Sequence, residues 1–366
     1  MRIGSIEISS PAVQAALSGY SDWPMRVIAR RLGAPYTLCE VLLDKFVLDQ
    51  HMQRANRRQL KVTDEEHPVG GQIMGADPEQ FGPAALRLVE AGFDVVDINF
   101  GCPVKKVLGR CRGGFLLSTP KTALEIVSRV REALPPSVPV TVKMRRGLDD
   151  STESAENFYT IFDGAFALGA AAITVHGRTV MQRYIGPSNW SILAEIKRHA
   201  GDRTVLGSGD LFSAESCVEM LRQTGVDGLS VARGAIGNPW IFQQVQDALA
   251  GRSIRWPGLF EQREVLGEHF RLSEEVYGEK RSCTMMRKFG IKYGQLHPFA
   301  DEVKQAFIRV SQPADWQAVL TRWYSEDLPG RRPGDQAALT ECGTECGTVA
   351  GESCDGSPIE TSCGQG

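Results

Sequence analysis

Amide, thiol and ionisable side chains recur at the ends of short apolar runs along the first 240 residues of the chain. Such groups are costly to bury unless a ligand or a hydrogen-bonding partner satisfies them. Their clustering at these positions indicates a ligand site, although a solvated rim without a ligand would show the same pattern. The residues concerned are Glu40, Gln72, Asn99, Cys102, Lys143, Arg145, His176 and Arg178.

Cys102 is the member of this set best suited to proton transfer. It lies between Gly101 and Pro103, directly after the apolar run 95–100. A cysteine with an ordinary pKa near 8.5 is mostly protonated at neutral pH, so it can act as a general acid without special tuning. A nucleophilic role would require stabilisation of the thiolate. We expect Cys102 to be a catalytic acid, with a small buried structural thiol as the alternative.

Two glycine-containing turns follow the last two apolar runs, at 207–210 (Gly-Ser-Gly-Asp) and at 232–234 (Ala-Arg-Gly). Small residues let backbone N–H groups approach an anion, and an arginine neutralises its charge. These turns predict a phosphate site formed by Ser208, Gly209, Asp210, Ala232 and Arg233.

The elements that would position these groups repeat along the chain. Eight apolar runs enriched in Val and Ile alternate with segments of helical periodicity, the pattern of repeated βα units. The predicted strands cover residues 13–18, 36–40, 68–74, 95–100, 138–145, 171–176, 204–207 and 228–232. The predicted helices cover residues 24–32, 81–91, 119–133, 154–168, 190–199 and 214–224.

The predicted strands are apolar on both faces, as in a parallel sheet that is buried on both sides. Eight such repeats predict an α/β fold, a closed (β/α)8 TIM barrel whose chemistry lies at the carboxyl ends of the strands. An open doubly wound sheet is the rival fold. Its glycine fingerprint G-x-G-x-x-G is missing after the first predicted strand.

The chain divides into three predicted parts. Residues 1–240 form the barrel, residues 241–328 show only helical patterns and form a smaller domain, and residues 329–366 form a disordered tail rich in Gly, Ser, Thr, Pro and Glu. Four cysteines of the tail lack both a C-x-x-C pair and a histidine, so no metal site is predicted there. They are Cys342, Cys346, Cys354 and Cys363.

Bulk composition narrows the class of protein. Apolar residues at 42% and charged residues at 23% are ordinary for a globular chain. No run is apolar enough for a membrane span, no signal peptide is visible, and nine scattered cysteines suit a reducing compartment, so we expect a cytoplasmic location. The net charge of −3 means that a nucleic-acid surface would have to be a local basic patch. Nothing implies a protein partner.

The residues from about 15 to 242 resemble the tRNA-dihydrouridine synthase family. The most specific element is 97–107, with the sequence DINFGCPVKKV. It is accompanied by GYSD at 19–22, QIMG at 72–75, VKMR at 142–145, HGRT at 176–179 and RGAIGNPW at 233–240. The order and spacing of these motifs suit that family, and the helical domain shows a weaker likeness.

The resemblance implies a TIM barrel that holds FMN, a helical domain that helps to grip tRNA, and reduction of the uracil 5,6 double bond with NADPH as reductant. Hydride would reach C6 from the flavin, and Cys102 would protonate C5. Lys143 should contact the flavin and stabilise its negative charge when reduced. Gln72 and His176 should hydrogen-bond the cofactor or its surroundings.

The resemblance also implies substrate contacts. Asn99 and Arg145 are expected to read the uracil edge, because amide and guanidinium groups complement its carbonyls and N3–H. Tyr184 is expected to border the extruded base, with Arg178 in the same substrate set. A basic segment on a predicted helix is expected to contact the tRNA phosphates, although a merely solvated helix face is the alternative. Its residues are Lys280, Arg281, Arg287, Lys288 and Lys292.

Three positions depart from the family pattern. Residues Ala16, Leu17 and Ser18 stand where a proline-methionine pair is usual, and Leu17 would still pack on the flavin. Ser208 replaces an asparagine and Ala232 replaces a glycine of the phosphate turns. If that glycine requires a positive φ, alanine costs on the order of 1 kcal/mol or more. These departures concern FMN affinity rather than the fold.

Two rival functions remain at this point. One is an FMN barrel oxidoreductase acting on a small molecule, such as a dihydroorotate-type dehydrogenase. The other is a tRNA-binding protein that has lost flavin and catalysis, for which the departures in the cofactor loops are the motive.

Overall fold

The computed structural model describes residues 1–49 and 58–333. Residues 329–333 are irregular, and the remainder of the predicted tail, with its four cysteines, lies outside the described residues. The strands are Arg2–Ile3 (β1), Ile6–Glu7 (β2), Ala12–Gln14 (β3), Thr37–Leu38 (β4), Leu42–Leu43 (β5), Val69–Met74 (β6), Val95–Phe100 (β7), Val140–Arg145 (β8), Ala172–His176 (β9), Val205–Ser208 (β10) and Gly228–Val231 (β11).

Eight of these strands close into a parallel barrel. Its order is β3, β4, β6, β7, β8, β9, β10 and β11, and β11 pairs with β3 to complete the ring. The short β5 continues the second strand beside the end of β6. The predicted TIM barrel is confirmed. The first strand ends at Gln14 rather than at residue 18, because residues 15–21 fold into a tight loop.

Helices follow the barrel strands and cover their outer faces, close to the predicted ranges. The α-helices are Trp23–Arg31 (α1), Asp44–Leu48 (α2), Pro78–Glu90 (α3), Lys105–Leu108 (α4), Pro120–Ala133 (α5), Thr152–Ala167 (α6), Trp190–Ala200 (α7), Ala214–Thr224 (α8), Ile241–Leu249 (α9), Leu259–Tyr277 (α10), Glu279–Tyr293 (α11), Ala300–Ile308 (α12) and Pro313–Trp323 (α13).

Two apolar layers fill the barrel region. The larger lies between the strands and the helices and includes Ile98, Met144 and Phe162. The smaller closes the amino-terminal end of the barrel, where Ile3 from the β1–β2 hairpin packs with Val95 and other interior residues. The sequence analysis missed this hairpin because its strands have two residues each. The carboxyl end of the barrel is left for polar groups.

The helices after residue 250 pack against one side of the barrel. Trp23 and Val27 of α1 share a cluster with Leu272 and Val276 of α10. In contrast, α9 belongs to the barrel layer, since it packs on α8 and β3 and Gln246 donates a hydrogen bond to the Gly33 carbonyl at 2.8 Å. The domain boundary drawn at residue 240 stays a prediction. Within the described ranges, no helix is long and apolar enough to cross a membrane.

Candidate active site

Polar side chains from four neighbouring strands lie inside the barrel, and we call them the inner ring: Gln72, Asp97, Asn99, Lys143, Arg145 and His176. The strand register places Gln72 beside Asp97, Asn99 beside Lys143, and Arg145 beside His176. Alternate residues of a strand share one face, so the four strands β6, β7, β8 and β9 place these groups around one interior space.

Asp97 accepts hydrogen bonds from two neighbouring side chains, and it was not among the predicted site residues. Its carboxylate accepts hydrogen bonds from Gln72 Nε2 at 2.6 Å and from Thr141 Oγ1 at 2.5 Å. Burial raises the pKa of Asp97, while these two bonds and the nearby Lys143 charge oppose the shift. Gln72 in turn accepts a bond from Asn99 Nδ2 at 2.7 Å, so the predicted cofactor contact Gln72 serves at least to orient its neighbours.

Asn99 and Arg145 hold the loop that carries Cys102. The Asn99 Oδ1 atom accepts hydrogen bonds from the backbone N–H groups of Gly101 at 2.9 Å and Cys102 at 3.1 Å. Arg145 Nε donates to the Gly101 carbonyl at 3.0 Å, and the Cys102 carbonyl accepts from Gly114. Both ends of the Gly101-Cys102 segment are therefore fixed, and the thiol is half-buried at the carboxyl end of the barrel.

Arg145 and Arg178 make most of their contacts with the protein itself. Arg145 Nη1 donates to the carbonyls of Thr179 and Arg183, both at 2.7 Å. Arg178 is only 3% exposed and forms a bidentate ion pair with Asp210, at 2.8 Å to each oxygen. For Arg178 this arrangement argues against the predicted substrate contact: ion pairing and burial make it a residue that supports the loop.

Lys143 and His176 are the groups that remain open to a ligand. Among the described residues, the Lys143 ammonium has no hydrogen-bond or ion-pair partner, and the residue is partly exposed. Burial lowers its pKa to about 8, with the Asp97 charge opposing the shift. Burial, together with cations that include Arg145 and Lys143, lowers the pKa of His176 well below its usual range.

The protonation of His176 follows from its contacts. Its Nδ1 atom accepts a hydrogen bond from the Arg178 backbone N–H at 3.2 Å. A neutral imidazole has one donor and one acceptor nitrogen, so the proton lies on Nε2. His176 therefore presents a neutral N–H donor beside the cationic Lys143 and Arg145.

The two predicted phosphate turns lie side by side, since β10 pairs with β11. Gly209 has φ +117°, and a Cβ atom there would lie 2.3 Å from Ser188 Oγ, so the close approach requires glycine. Ser208 is buried and donates to the Ser230 carbonyl at 3.1 Å. Ala232 has φ −105°, so the cost expected for alanine at a positive φ does not arise.

The aromatic ring of Tyr184 lies between two guanidinium groups. Arg145 is 5.3 Å and Arg233 is 5.0 Å from its centroid, and the residue is 40% exposed. Tyr184 thus links the inner ring to the phosphate turns, and its exposed part borders the opening. This geometry keeps the predicted contact with an extruded base available, and that contact stays a prediction.

Residues around the opening also include charges and apolar groups that the sequence analysis did not assign. Lys105, Lys106, Arg110 and Arg183 are exposed, and none of them has an ion-pair partner among the described residues; we call these four the basic rim. Met181 and Ile185, on the loop that carries Tyr184, are 57% and 76% exposed. Lys105 and Lys106 belong to the sequence motif around Cys102. Only the structure shows that they have no acidic partner among the described residues.

The first-strand loop, residues 15–21, carries the predicted cofactor contacts Ala16, Leu17 and Ser18. Ala16 and Leu17 are half-buried and Ser18 is exposed. Arg287 and Lys288, predicted together as phosphate contacts, lie in different surroundings. Arg287 is exposed on α11, whereas Lys288 is turned towards the barrel and contacts Gly19. The Lys288 ammonium is already engaged within the protein, and its predicted phosphate contact stays a prediction.

Comparison with known proteins agrees with this architecture. Residues 13–326 match the family model described as dihydrouridine synthase. A "Probable tRNA-dihydrouridine synthase" of Rickettsia conorii is 30% identical over 326 residues, which cover 89% of this chain and 96% of the relative. A "tRNA-dihydrouridine synthase B" of Pseudomonas aeruginosa is 34% identical over 325 residues, which cover 88% and 95%.

Solved structures show the same fold at low identity. Morphinone reductase superposes with a TM-score of 0.51 at 15% identity, covering 69% of this chain and 89% of the other. Histamine dehydrogenase from Rhizobium sp. 4-9 superposes with a TM-score of 0.53 at 15% identity, covering 74% and 50%. The family model spans both the barrel and the helices that follow it, and the chain belongs to the dihydrouridine synthase family.

Proposed function

We propose that this protein reduces specific uridines of tRNA to dihydrouridine, with FMN as bound cofactor and NADPH as reductant. The observation that carries the proposal is the position of Cys102. Its loop is held by Asn99 and Arg145 at the same end of the barrel as the open donors Lys143 and His176. The names of the relatives, which specify tRNA, support the choice of substrate.

The residues present suit a flavin mononucleotide. Lys143 offers a cation without a protein partner among the described residues, and His176 offers a neutral N–H donor. Near the phosphate turns, Arg178 Nη1 is buried without a hydrogen-bond partner, and Arg233 lies 3.9 Å from Asp210. At Gly209, the backbone occupies a space that a Cβ atom would fill. Cationic side chains, hydrogen-bond donors and a backbone that a ligand can approach closely are therefore arranged along one side of the barrel opening.

The proposed roles divide the flavin site into two ends. Lys143 and His176 would contact the ring system, where a cation stabilises the negative charge of the reduced form. Ser208, Gly209 and Arg233, with backbone N–H groups at the start of the turn after β11, would hold the phosphate. Leu17 would pack against the edge of the rings. When bound, the reduced flavin supplies the hydride, which NADPH replaces.

Cys102 supplies the proton in this proposal. The S–H bond of Cys102 breaks as a C–H bond forms at uracil C5, while C6 receives the hydride, so the product gains one proton and one hydride. The thiolate that remains lies close enough to Arg145 for their charges to interact. The guanidinium stabilises that thiolate until solvent returns a proton. Asn99 contributes by fixing the backbone on which the thiol is carried.

The surroundings of the opening suit an RNA substrate. The basic rim supplies four cations without ion-pair partners among the described residues, next to the loop of Cys102. Unpaired cations beside an opening attract phosphates, although the whole chain has a net charge of −3. Tyr184, Met181 and Ile185 expose apolar surface on which unstacked bases can lie. Arg287, with Lys280 and Arg281 on α11, would contact phosphates farther away.

The alternative function, a tRNA-binding protein without flavin, loses part of its support. It depended on the cofactor-loop departures, and Ala232 has a negative φ, so the expected cost of alanine at a positive φ does not arise. The rival of a small-molecule barrel enzyme does not explain a family match that continues through the helices to residue 326.

The test uses purified full-length protein and unmodified tRNA transcripts. We expect a flavin absorption spectrum, oxidation of NADPH that depends on tRNA, and dihydrouridine detected as a gain of two hydrogens on uridine by mass spectrometry. A free-uridine and a dihydroorotate assay distinguish the small-molecule rival. Protein that carries flavin yet oxidises NADPH at the same rate with or without tRNA, and yields no dihydrouridine, would overturn the proposal.

A further inference from the structure

Two neighbouring cations on α11, Arg287 and Lys288, have different surroundings. Arg287 is exposed and has no ion-pair partner among the described residues. Lys288 is half-buried, and its ammonium donates a hydrogen bond to the Gly19 carbonyl of the first-strand loop. It also lies 4.6 Å from the centroid of the Tyr20 ring. One helix therefore presents one cation to solvent and the next one to the barrel.

The loop that Lys288 contacts is closed by its own hydrogen bonds. Ser21 Oγ accepts from the Leu17 N–H at 2.8 Å and donates to the Leu17 carbonyl at 3.2 Å. The Gly19 N–H donates to Glu40 Oε2 at 2.7 Å, and Ala15 N–H donates to the Val231 carbonyl. Gly19 forms the tip of this loop, so a contact there fixes the position of Leu17 and its neighbours.

A second connection runs beside the first. Tyr277, at the end of α10, donates a hydrogen bond from its hydroxyl to Asp22 Oδ2 at 2.9 Å. The other oxygen of Asp22 accepts from the Met25 N–H at the start of α1. Phe289 of α11 packs edge-on against Tyr20, with centroids 5.4 Å apart. The helices after the barrel therefore contact both ends of the segment 19–22.

The charges around Lys288 explain why it remains in this place. Burial lowers the pKa of Lys288, whereas Asp22 and Glu40 oppose that shift as neighbouring carboxylates. The ammonium thus balances two partly buried acids and satisfies a carbonyl. Removing it would leave these groups without their cation, and an unsatisfied buried group costs more than the bond itself contributes.

We infer that Lys288 is a positioning residue for the flavin site, holding the first-strand loop in shape from the helical region. The inference rests on the proposed function, because it assigns that loop to flavin binding. Helix α11 then has two separate roles: Arg287 contacts RNA phosphates, and Lys288 keeps Leu17 in position for the cofactor. Loss of Lys288 weakens flavin retention, and loss of Arg287 weakens tRNA binding.

The experiment compares Lys288→Met with Arg287→Met in the full-length protein. Hydrogen exchange of the amides 17–21 is measured without flavin or RNA, FMN dissociation constants by fluorescence, and tRNA affinity at several salt concentrations. For Lys288→Met we expect faster exchange and a dissociation constant for FMN raised about tenfold, with tRNA affinity nearly unchanged. For Arg287→Met we expect normal exchange and FMN affinity, and a salt slope reduced by about one.

Two further variants keep the test decisive. Lys288→Arg retains a charged donor and is expected to restore slow exchange and most of the FMN affinity. If Lys288→Met does not fold, Tyr277→Phe removes only the bond to Asp22 and is expected to loosen the same amides to a smaller extent. Unchanged exchange and FMN affinity in Lys288→Met, or in Tyr277→Phe if it is the variant that folds, would overturn the inference.

Failure of the proposed function would look different. A wild-type protein that binds no FMN would contradict the flavin assignment, whereas the exchange of amides 17–21 would still report whether Lys288 holds the loop. Flavin-loaded wild type with normal dihydrouridine formation, combined with an unaffected Lys288→Met variant, would contradict the positioning role alone.

Discussion

The inner ring and the basic rim lie at the same end of the barrel, yet their side chains differ in how many contacts they make within the protein. In the inner ring, Asn99 accepts from two backbone N–H groups and donates to Gln72, and Arg145 donates to three carbonyls. In the basic rim, Lys105 and Lys106 are exposed and have no ion-pair partner among the described residues. Fixed groups suit a reaction that requires exact proton placement, and adaptable cations suit a large polyanionic substrate.

The comparison implies that changes in the inner ring affect the rate, whereas changes in the basic rim affect affinity. Each of the following substitutions can break that division. They are ordered by the size of the expected effect.

Asn99→Ala should produce the largest loss among these variants. It removes the acceptor of two backbone N–H groups in the Cys102 loop, so the thiol is no longer held in place. We expect kcat to fall by about 100-fold, with tRNA affinity within about twofold, because misplacement of a catalytic group by about 1 Å has effects of this size. Single-turnover reduction of tRNA measures the rate.

The matched control is Asn189→Ala, which removes a side-chain acceptor at the start of α7. It should lower stability by about 1 kcal/mol and leave kcat nearly unchanged. If both variants lose the same fraction of kcat, the special role of Asn99 is contradicted.

Charge reversal in the basic rim should act on binding. For Lys105→Glu with Lys106→Glu, we expect tRNA affinity at low salt to fall by about tenfold or more. The slope of log K against log salt should decrease by about two, because two phosphate contacts are lost. Filter binding across a salt series measures both quantities.

Arg198→Glu is the control for this pair, since Arg198 is exposed in the last turn of α7, at the opposite end of the barrel. It should leave the salt slope unchanged. A slope unaffected by the lysine reversals would remove the basic rim from the tRNA interface.

Lys143 predicts a pH dependence of flavin binding. Its pKa is lowered from 10.5 to about 8 by burial, so the ammonium is charged below pH 8 and loses its proton as the pH rises through that value. Because the charged form is the one that stabilises the anionic ring of reduced flavin, the affinity for reduced FMN should fall by up to about tenfold per pH unit above that pKa. Bound flavin will move the midpoint upward.

Lys143→Met tests the origin of this profile. It should bind reduced FMN more weakly at pH 7 and show a flat profile between pH 7 and 9, measured by anaerobic absorbance titration. A wild-type affinity that rises with pH, or a variant that keeps the wild-type profile, would assign the dependence to another group.

Ala232→Gly should have the smallest effect. Ala232 has a negative φ, so glycine removes no positive-φ strain there and should lower the free energy of unfolding by about 0.5 to 1 kcal/mol. Gly209→Ala is the contrasting variant, because its φ of +117° and the nearby Ser188 exclude a Cβ atom. Denaturant unfolding measures both. Stabilisation by Ala232→Gly would revive the idea that this departure strains the phosphate turn.

Much of the barrel could be predicted because local patterns decide it. The strand at 95–100 and the helix at 214–224 match their predicted bounds, since apolar runs and caps are properties of adjacent residues. The first strand was predicted too long because residues 15–18 are apolar enough for a strand. In the structure, the Leu17 N–H donates to Ser21 Oγ and the Gly19 N–H donates to Glu40, and these bonds fold the segment into a loop.

The site was predictable only as far as strand ends indicate it. Position at the end of a strand suggested Asn99 and Cys102, but not that Asn99 would hold the Cys102 backbone. The direction of the Lys288 side chain depends on how α11 packs against the barrel. The sequence around Arg287 and Lys288 therefore could not predict that only one of them is exposed. Likewise, the pairing of Arg178 with Asp210 joins residues 32 positions apart, which no local pattern reveals.

The proposed function is tested most directly by asking whether Cys102 supplies the proton. Single-turnover reduction of unmodified tRNA by pre-reduced, flavin-loaded Cys102→Ala is compared with that by wild type. The account predicts normal flavin content and tRNA affinity, with formation of dihydrouridine slowed by about 100-fold to 10,000-fold. A Cys102→Ala variant that forms dihydrouridine at the wild-type rate would contradict it.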